Sequence, residues 1–309
     1  MISRRLARIK TLQALYAAAQ GSGNARNTLQ DSMFRSYDVY IFLLSFPHHL
    51  NEYLISARDA EKKKFFPDKE IIRKCGLLET TKLAANIYDK TIPVKRRLFA
   101  NNWSEVAEQF NTLTDLMFEE EFVQDYMVFE KPLMSQQKAF LEDLYNWLFD
   151  SSEFFNELME EIYPAWNDDD ATLLREVQKT VQGCTDDGFV PFAAPLSYQH
   201  EELQMALKIF DDVTNNGEEY AEKLSVFTEN WDANRIAMID LICIKMAVAE
   251  FLRFPNVPVK VTINEYLEIV KNYSTPASSR FLNGVLDKLR ISMETSGEIQ
   301  KSGRGLRDK

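Results

Sequence analysis

Asn256 to Leu289 reads NVPVKVTINEYLEIVKNYSTPASSRFLNGVLDKL, and this stretch decides the fold. Thr262-Ile263-Asn264-Glu265 has the Thr-x-x-Glu form of a capping box, so a helix is expected to begin near Ile263. Ile263, Leu267 and Val270 then share one face. Ser274-Thr275-Pro276 breaks that helix, because proline lacks an N–H and restricts the residue before it. A second helix is expected from about Ser278, with Phe281, Leu282, Val285, Leu286 and Leu289 as its apolar stripe. Gly284 falls inside it, where glycine costs ~1 kcal/mol relative to alanine. Either a backbone or ligand approaches closely there, or the glycine is tolerated on a helix side.

Composition points to the same class. The chain has 309 residues, 45% of them apolar, with only 10 Gly and 10 Pro. Such sparse punctuation favours long helices over many short strands, and the fold class is all-α. A net charge of −11 argues against a uniformly basic surface but leaves room for a local basic site. Cys75, Cys184 and Cys243 lie far apart without C-x-x-C spacing, which fits buried thiols in a reducing, cytoplasmic compartment. No run reaches the ~18 apolar residues of a membrane span. Arg4-Arg5 followed by Leu12 to Ala19 imitates an export signal, but Thr11, Gln13 and Tyr16 interrupt the apolar run. An amphipathic first helix over 2–20 is the better reading.

That helix carries Arg4, Arg5, Arg8 and Lys10 with no acid before Asp31, an electrostatic footprint suited to phosphate or, more plainly, a solubilising terminus. A helix is expected over 29–56. His48-His49 with Glu52 lacks a third ligand at metal-binding spacing and reads as a helix-end pair. Residues 58–97 hold twelve Lys/Arg against six acids, whereas 98–130 hold eight acids and no Lys or Arg. These blocks either face one another, lie solvated, or form a second nucleic-acid patch around Lys62–Lys64 or Lys95–Arg97. Residues 140–175 align without a gap on 205–240, pairing Glu153 with Glu218 and Trp166 with Trp231, either as a repeat or as a chance match of helical hairpins. Gly183 to Pro195 reads as a linker, and Asn215-Asn216-Gly217 as a turn between two helices. Arg235 to Phe254 is a strongly apolar helix in which Asp240 and Glu250 are the exceptions. The basic tail from Gly297 reads as disordered.

No Gly-rich phosphate loop, Ser/His/Asp set, Cys/His set or HExxH is present. No enzyme, cofactor or metal site is therefore expected, and a binding module remains. VPVKVTINEYLEIVKNY followed by SSRFLNGVLDKL resembles the C-terminal signature of the NusB family of transcription antitermination factors. RRLARIKTLQALYA resembles that family's opening helix. The resemblance covers 1–20 and 200–292 and implies a two-subdomain helical bundle. In this chain a helical insertion over 21–197 separates the basic helix 1–20 from a C-terminal subdomain over 198–292, with 293–309 as the tail.

The resemblance further implies binding of boxA RNA from ribosomal RNA operons together with NusE, a small-subunit ribosomal protein, within an RNA polymerase antitermination complex. It places Arg4, Arg5 and Arg8 on phosphates and Tyr16 near the RNA. Lys260, Ser278, Arg280 and Asn283 fall at its polar motif positions, and Asp240 and Glu250 on the NusE-facing helices. These are residue types that suit single-stranded RNA, which is held by cations, aromatic stacking and amide hydrogen bonds. One basic groove shared by the two ends of the chain is the expected geometry. The acidic bulk would weaken binding of RNA alone and make the partner necessary. Two other classes stay open: an accessory RNA-binding module of ribosomal RNA maturation, and a protein–protein scaffold without RNA.

Overall fold

The computed structural model describes residues 3–77, 81–91, 103, 109–226 and 236–308. Its helices are α1 (Arg4–Ala19), α2 (Ala25–Lys62), α3 (Lys69–Lys74), α4 (Lys82–Thr91), α5 (Gln109–Met117), α6 (Glu121–Tyr126), α7 (Met134–Asn146), α8 (Glu153–Ile162), α9 (Trp166–Gly183), α10 (Glu201–Ser225), α11 (Met238–Arg253), α12 (Val259–Tyr273) and α13 (Ser278–Thr295). A π turn at Trp147–Ser151 joins α7 to α8, and a 3-10 turn at Gly303–Asp308 ends the described chain. No strand occurs among the described residues, so the fold is all-α. No helix among them is long and apolar enough to cross a membrane. The three cysteines are buried and form no disulfide.

Contacts divide the chain into two compact units, one over 34–196 and one formed by 2–33 with 197–309. The first unit is built on the body of α2, which buries Tyr40, Phe42, Leu43, Phe46, Leu50 and Leu54. Pro47 lies inside that helix. Its missing N–H would leave the carbonyl of Leu43, four residues back, without a donor. The buried Tyr145 hydroxyl donates to that carbonyl at 2.9 Å. The neighbouring Phe42 carbonyl accepts from the Trp103 indole at 2.9 Å and the Ser45 hydroxyl at 2.7 Å. Tertiary donors thus complete a helix that proline would otherwise interrupt. His48 and His49 end up against Glu52 and Tyr88, with the His48 ring stacked on Tyr88 at 3.8 Å. Among the described residues no cluster of His, Cys, Asp or Glu could hold a metal ion.

The second unit packs α1 on α10 and α11, then α10 on α11, α11 on α12 and α12 on α13. Its core is Leu6, Leu12 and Leu15 from α1, Leu203, Ile209 and Phe210 from α10, Ile244, Ala247 and Phe251 from α11, Tyr266 and Val270 from α12, and Leu282 and Leu286 from α13. Such spacing at i, i+3 and i+4 seats one stripe of each helix inward. Ser3 caps α1 by accepting from the Leu6 N–H at 3.1 Å. Gly21 closes it at φ +94°, where Ser22 N–H reaches the Ala17 carbonyl and Gly21 N–H reaches Ala18.

Four expectations are corrected. The helix expected from Ile263 starts a turn earlier, at Val259 after Pro258, because proline is well suited to a helix start. Thr262 is therefore not a cap but a buried residue of α12. Asn215-Asn216-Gly217 makes no turn, since α10 runs unbroken through it and Asn216 donates back to Asp212. The proposed repeat fails for the same reason: 205–225 is one helix, whereas 140–162 is broken by the π turn and by Ser152, which caps α8. The described part of the tail is docked on the helices. Lys301 Nζ donates to the Phe254 carbonyl at 3.0 Å, and Ser302 N–H donates to the Pro255 carbonyl at 3.0 Å. Arg235 and Trp231 lie outside the described residues.

Candidate nucleic-acid interface

The second unit gathers the residues singled out at both ends of the chain, but gives them different jobs. Arg8 is 2% exposed and Glu250 is fully buried. Arg8 donates from Nε to Glu250 Oε2 at 2.9 Å and from Nη2 to Oε1 at 2.6 Å. Thr262 Oγ1 donates to Glu250 Oε1 at 2.9 Å, and the Tyr266 hydroxyl donates to Oε2 at 3.3 Å. Both carboxylate oxygens are thus satisfied twice, which is what a buried charge requires. Burial alone would lower the Arg8 pKa, but the Glu250 hydrogen bonds and charge, with Tyr266 and Glu265 behind them, raise it above its ordinary value. Three helices, α1, α11 and α12, are pinned by this one network.

Neither member is therefore offered to a ligand. Arg8 does not face phosphate, and Glu250 does not face a protein partner. Asp240 is buried as well, in the first turn of α11, where a carboxylate complements the helix dipole. Its Oδ1 has no hydrogen-bond partner among the described residues. Nor does Asp240 form part of an exposed surface, so the partner-facing position expected of these two acids is not seen.

The other arginines of α1 remain outside. Arg5 makes a two-pronged contact with Glu265, at 3.1 Å from Nε and 3.0 Å from Nη2. That pairing raises the Arg5 pKa, and half of its side chain stays exposed. Arg4 reaches Glu201 at 3.5 Å with both side chains largely in solvent, a pair worth little. Tyr16 is 41% exposed on the same helix.

On α12 and α13 the picture splits again. Lys260, Arg280 and Asn283 are exposed. Ser278 is buried at the start of α13, where its hydroxyl bonds those of Ser274 and Thr275 at 3.0 and 2.8 Å. It holds the turn between α12 and α13 and does not reach solvent. Gly284 faces open space, with nothing within 4 Å of where a Cβ would sit. Within the protein it is a glycine on a helix side, and the space above it is free. The helices that α1 packs along are α10 and α11 rather than α13, and Arg5 carries its contacts on to Glu265 of α12.

Sequence reasoning missed a second surface feature of this unit. A cleft of about 790 Å³ is lined by Arg4, Arg26, Lys208, Asp211, Asp212 and Arg253, among others. Arg26 grips Asp211 with two bonds, at 2.7 and 2.9 Å, and Arg253 holds Asp212 at 2.6 Å. Its arginines are thus paired with acids, and no sequence spacing joins Arg26 to Asp211.

The family model described as NusB family matches residues 178–290, which take in α10 to α12 and α13 as far as Arg290. The chain is 38% identical over 112 residues to a transcription antitermination protein NusB of Salinibacter ruber, covering 36% of this chain and 70% of that protein. It is 43% identical over 101 residues to the protein of that name from Chloroherpeton thalassium, and 38% over 106 residues to that from Gloeothece citriformis. Those matches cover 33% and 34% of this chain, and 48% and 50% of the relatives. No solved structure matches.

Proposed function

Since this chain belongs to the NusB family, we propose that it is a non-catalytic, cytoplasmic RNA-binding factor of transcription antitermination. Its RNA is boxA of ribosomal RNA operons, bound together with NusE within the antitermination complex of RNA polymerase. The observation that carries this reading is the family match over residues 178–290, whose helices also hold the exposed polar set of Lys260, Arg280 and Asn283. Packing of α1, from the far end of the sequence, onto α10 and α11 supports it by bringing Arg4, Arg5 and Tyr16 into the same unit.

The geometry refines the residues. Arg4, Arg5, Lys260 and Arg280 serve as the phosphate contacts, Tyr16 as a stacking surface, and Asn283 beside the open side of Gly284 as the base reader. Arg8, Glu250 and Ser278 act behind them, by fixing α1, α12 and α13. Arg280→Ala with Asn283→Ala is expected to weaken binding of boxA RNA about 10-fold or more, with and without NusE, measured by fluorescence anisotropy at low salt. Unchanged affinity would exclude α13 as the contact. If the wild-type chain binds no RNA even with NusE, the protein–protein scaffold reading takes its place.

A further inference from the structure

We propose that the segment 63–68 of the first unit is a second contact for single-stranded RNA, built from Phe65 and Phe66 between exposed lysines. This rests on the RNA-binding reading above but uses a part of the chain outside the family match.

The segment is held, not loose. Lys63 and Lys64 N–H groups close the end of α2 on the Ala60 and Glu61 carbonyls. The buried Glu61 carboxylate accepts the Asp68 N–H at 3.0 Å and the Lys64 ammonium at 2.6 Å. Asp68 in turn caps α3 by accepting from Glu70 and Ile71. Both ends of the six-residue hook are therefore fixed, and its middle projects. Phe65 is 90% exposed and Phe66 85%. Their rings meet edge to face, with centroids 4.7 Å apart and planes 88° apart.

Two phenyl rings in water are unfavourable unless something covers them. The surroundings say what. Lys62, Lys63 and Lys69 stand exposed around the hook. From Lys62 to Lys74 there are six basic residues against Asp68 and Glu70, in a chain of net −11. A polyanion is the complementary partner. Aromatic faces flanked by lysines bind single strands by stacking bases and pairing phosphates. Rings at right angles present faces in two directions, which suits splayed bases. A bilayer surface calls for a broad apolar face, and here there are two rings. A second contact on the same chain raises the affinity for one RNA through effective concentration.

The test uses the full chain and a 30-nucleotide oligouridylate, followed by anisotropy at low salt. Phe65→Ala with Phe66→Ala is expected to weaken binding about 10-fold or more, while Phe65→Tyr with Phe66→Tyr keeps it. Both rings are exposed, so helicity by circular dichroism stays the same in each variant. Unchanged RNA affinity in the alanine pair overturns the proposal. So does Phe-dependent binding to phosphatidylserine–phosphatidylcholine vesicles with RNA affinity unaltered, which makes the hook a membrane contact. Loss in Arg280→Ala with Asn283→Ala but not in the alanine pair leaves the α13 site standing and rejects the hook. The reverse result keeps the hook and rejects the α13 site.

Discussion

Arg8 shows how one residue type can carry two opposite meanings. In sequence it is one of three arginines on a basic helix, equal to Arg4 and Arg5. In the fold it is a buried cation whose carboxylate partner lies 242 residues away. Removing one side of such a pair leaves an uncompensated charge in the interior, which costs about 3–5 kcal/mol. Arg8→Ala is therefore expected to lower unfolding stability by about that much in urea titration. Arg8→Met with Glu250→Leu is expected to lose much less, since neither charge remains. A loss below about 1 kcal/mol in Arg8→Ala would show that the pair is not buried as described. Arg4 and Arg5 could not be told from Arg8 by spacing, because their exposure depends on where α10, α11 and α12 lie.

At the scale of elements, two glycines in helix interiors separate packing from function. A Cβ on Gly217 in α10 would have the Lys245 side chain nearest, at 3.6 Å, an ordinary contact for a new methyl group. Gly284 in α13 meets nothing. Either residue changed to alanine is expected to raise stability by up to ~1 kcal/mol, through the helix preference of alanine. Gly284→Ala is further expected to weaken boxA RNA binding, because the added methyl occupies the open side next to Asn283. Higher thermal stability with undiminished RNA affinity would show that no RNA backbone comes close there.

The tail element makes a separate prediction. A Cβ on Gly305 would sit 2.0 Å from the Pro255 carbonyl oxygen, which has no room to yield. Gly305→Ala is expected to undock 301–308 and speed its hydrogen exchange, leaving the helices protected. Lys223 anchors the chain just before this tail by donating to Glu298 at 2.6 Å. That bond first, and the Ser296 hydroxyl second, hold the Glu298 pKa below its ordinary 4.5. A carboxylate with a lowered folded pKa stabilises above the unfolded value and stops doing so as pH falls through the folded one. Tail protection, corrected for intrinsic exchange, should then be level above about pH 5 and fall below the ordinary glutamate range. A loss on raising the pH instead would reject the Glu298 anchor.

For the whole molecule, the net charge of −11 makes RNA binding depend on a few local cations. With about four phosphate contacts, the logarithm of affinity should fall with the logarithm of salt at a slope of about −3. A slope near zero would mean that the exposed cations do not touch phosphate. Of the basic block over 58–97, Lys63 to Lys74 form the hook and α3, while Lys95, Arg96 and Arg97 lie outside the described residues.

Helical class, the break at Ser274-Thr275-Pro276, the start of α13 at Ser278 and family membership were all legible in the sequence. Each depends on local chemistry: apolar spacing, proline's missing N–H, and a motif within a few turns. The continuity of α10 through Asn-Asn-Gly was not legible, because burial of Phe210, Val213, Tyr220 and Leu224 along one face outweighs the local turn preference. The survival of α2 past Pro47 depended on a hydroxyl from Tyr145, about a hundred residues away in the chain. The division of the polar residues into inner and outer sets was likewise decided by tertiary structure. Spacing along one helix states which residues share a face. Only the packing of other helices states whether that face meets water, and this is what put Arg8, Glu250 and Ser278 inside and left Arg280 and Asn283 out.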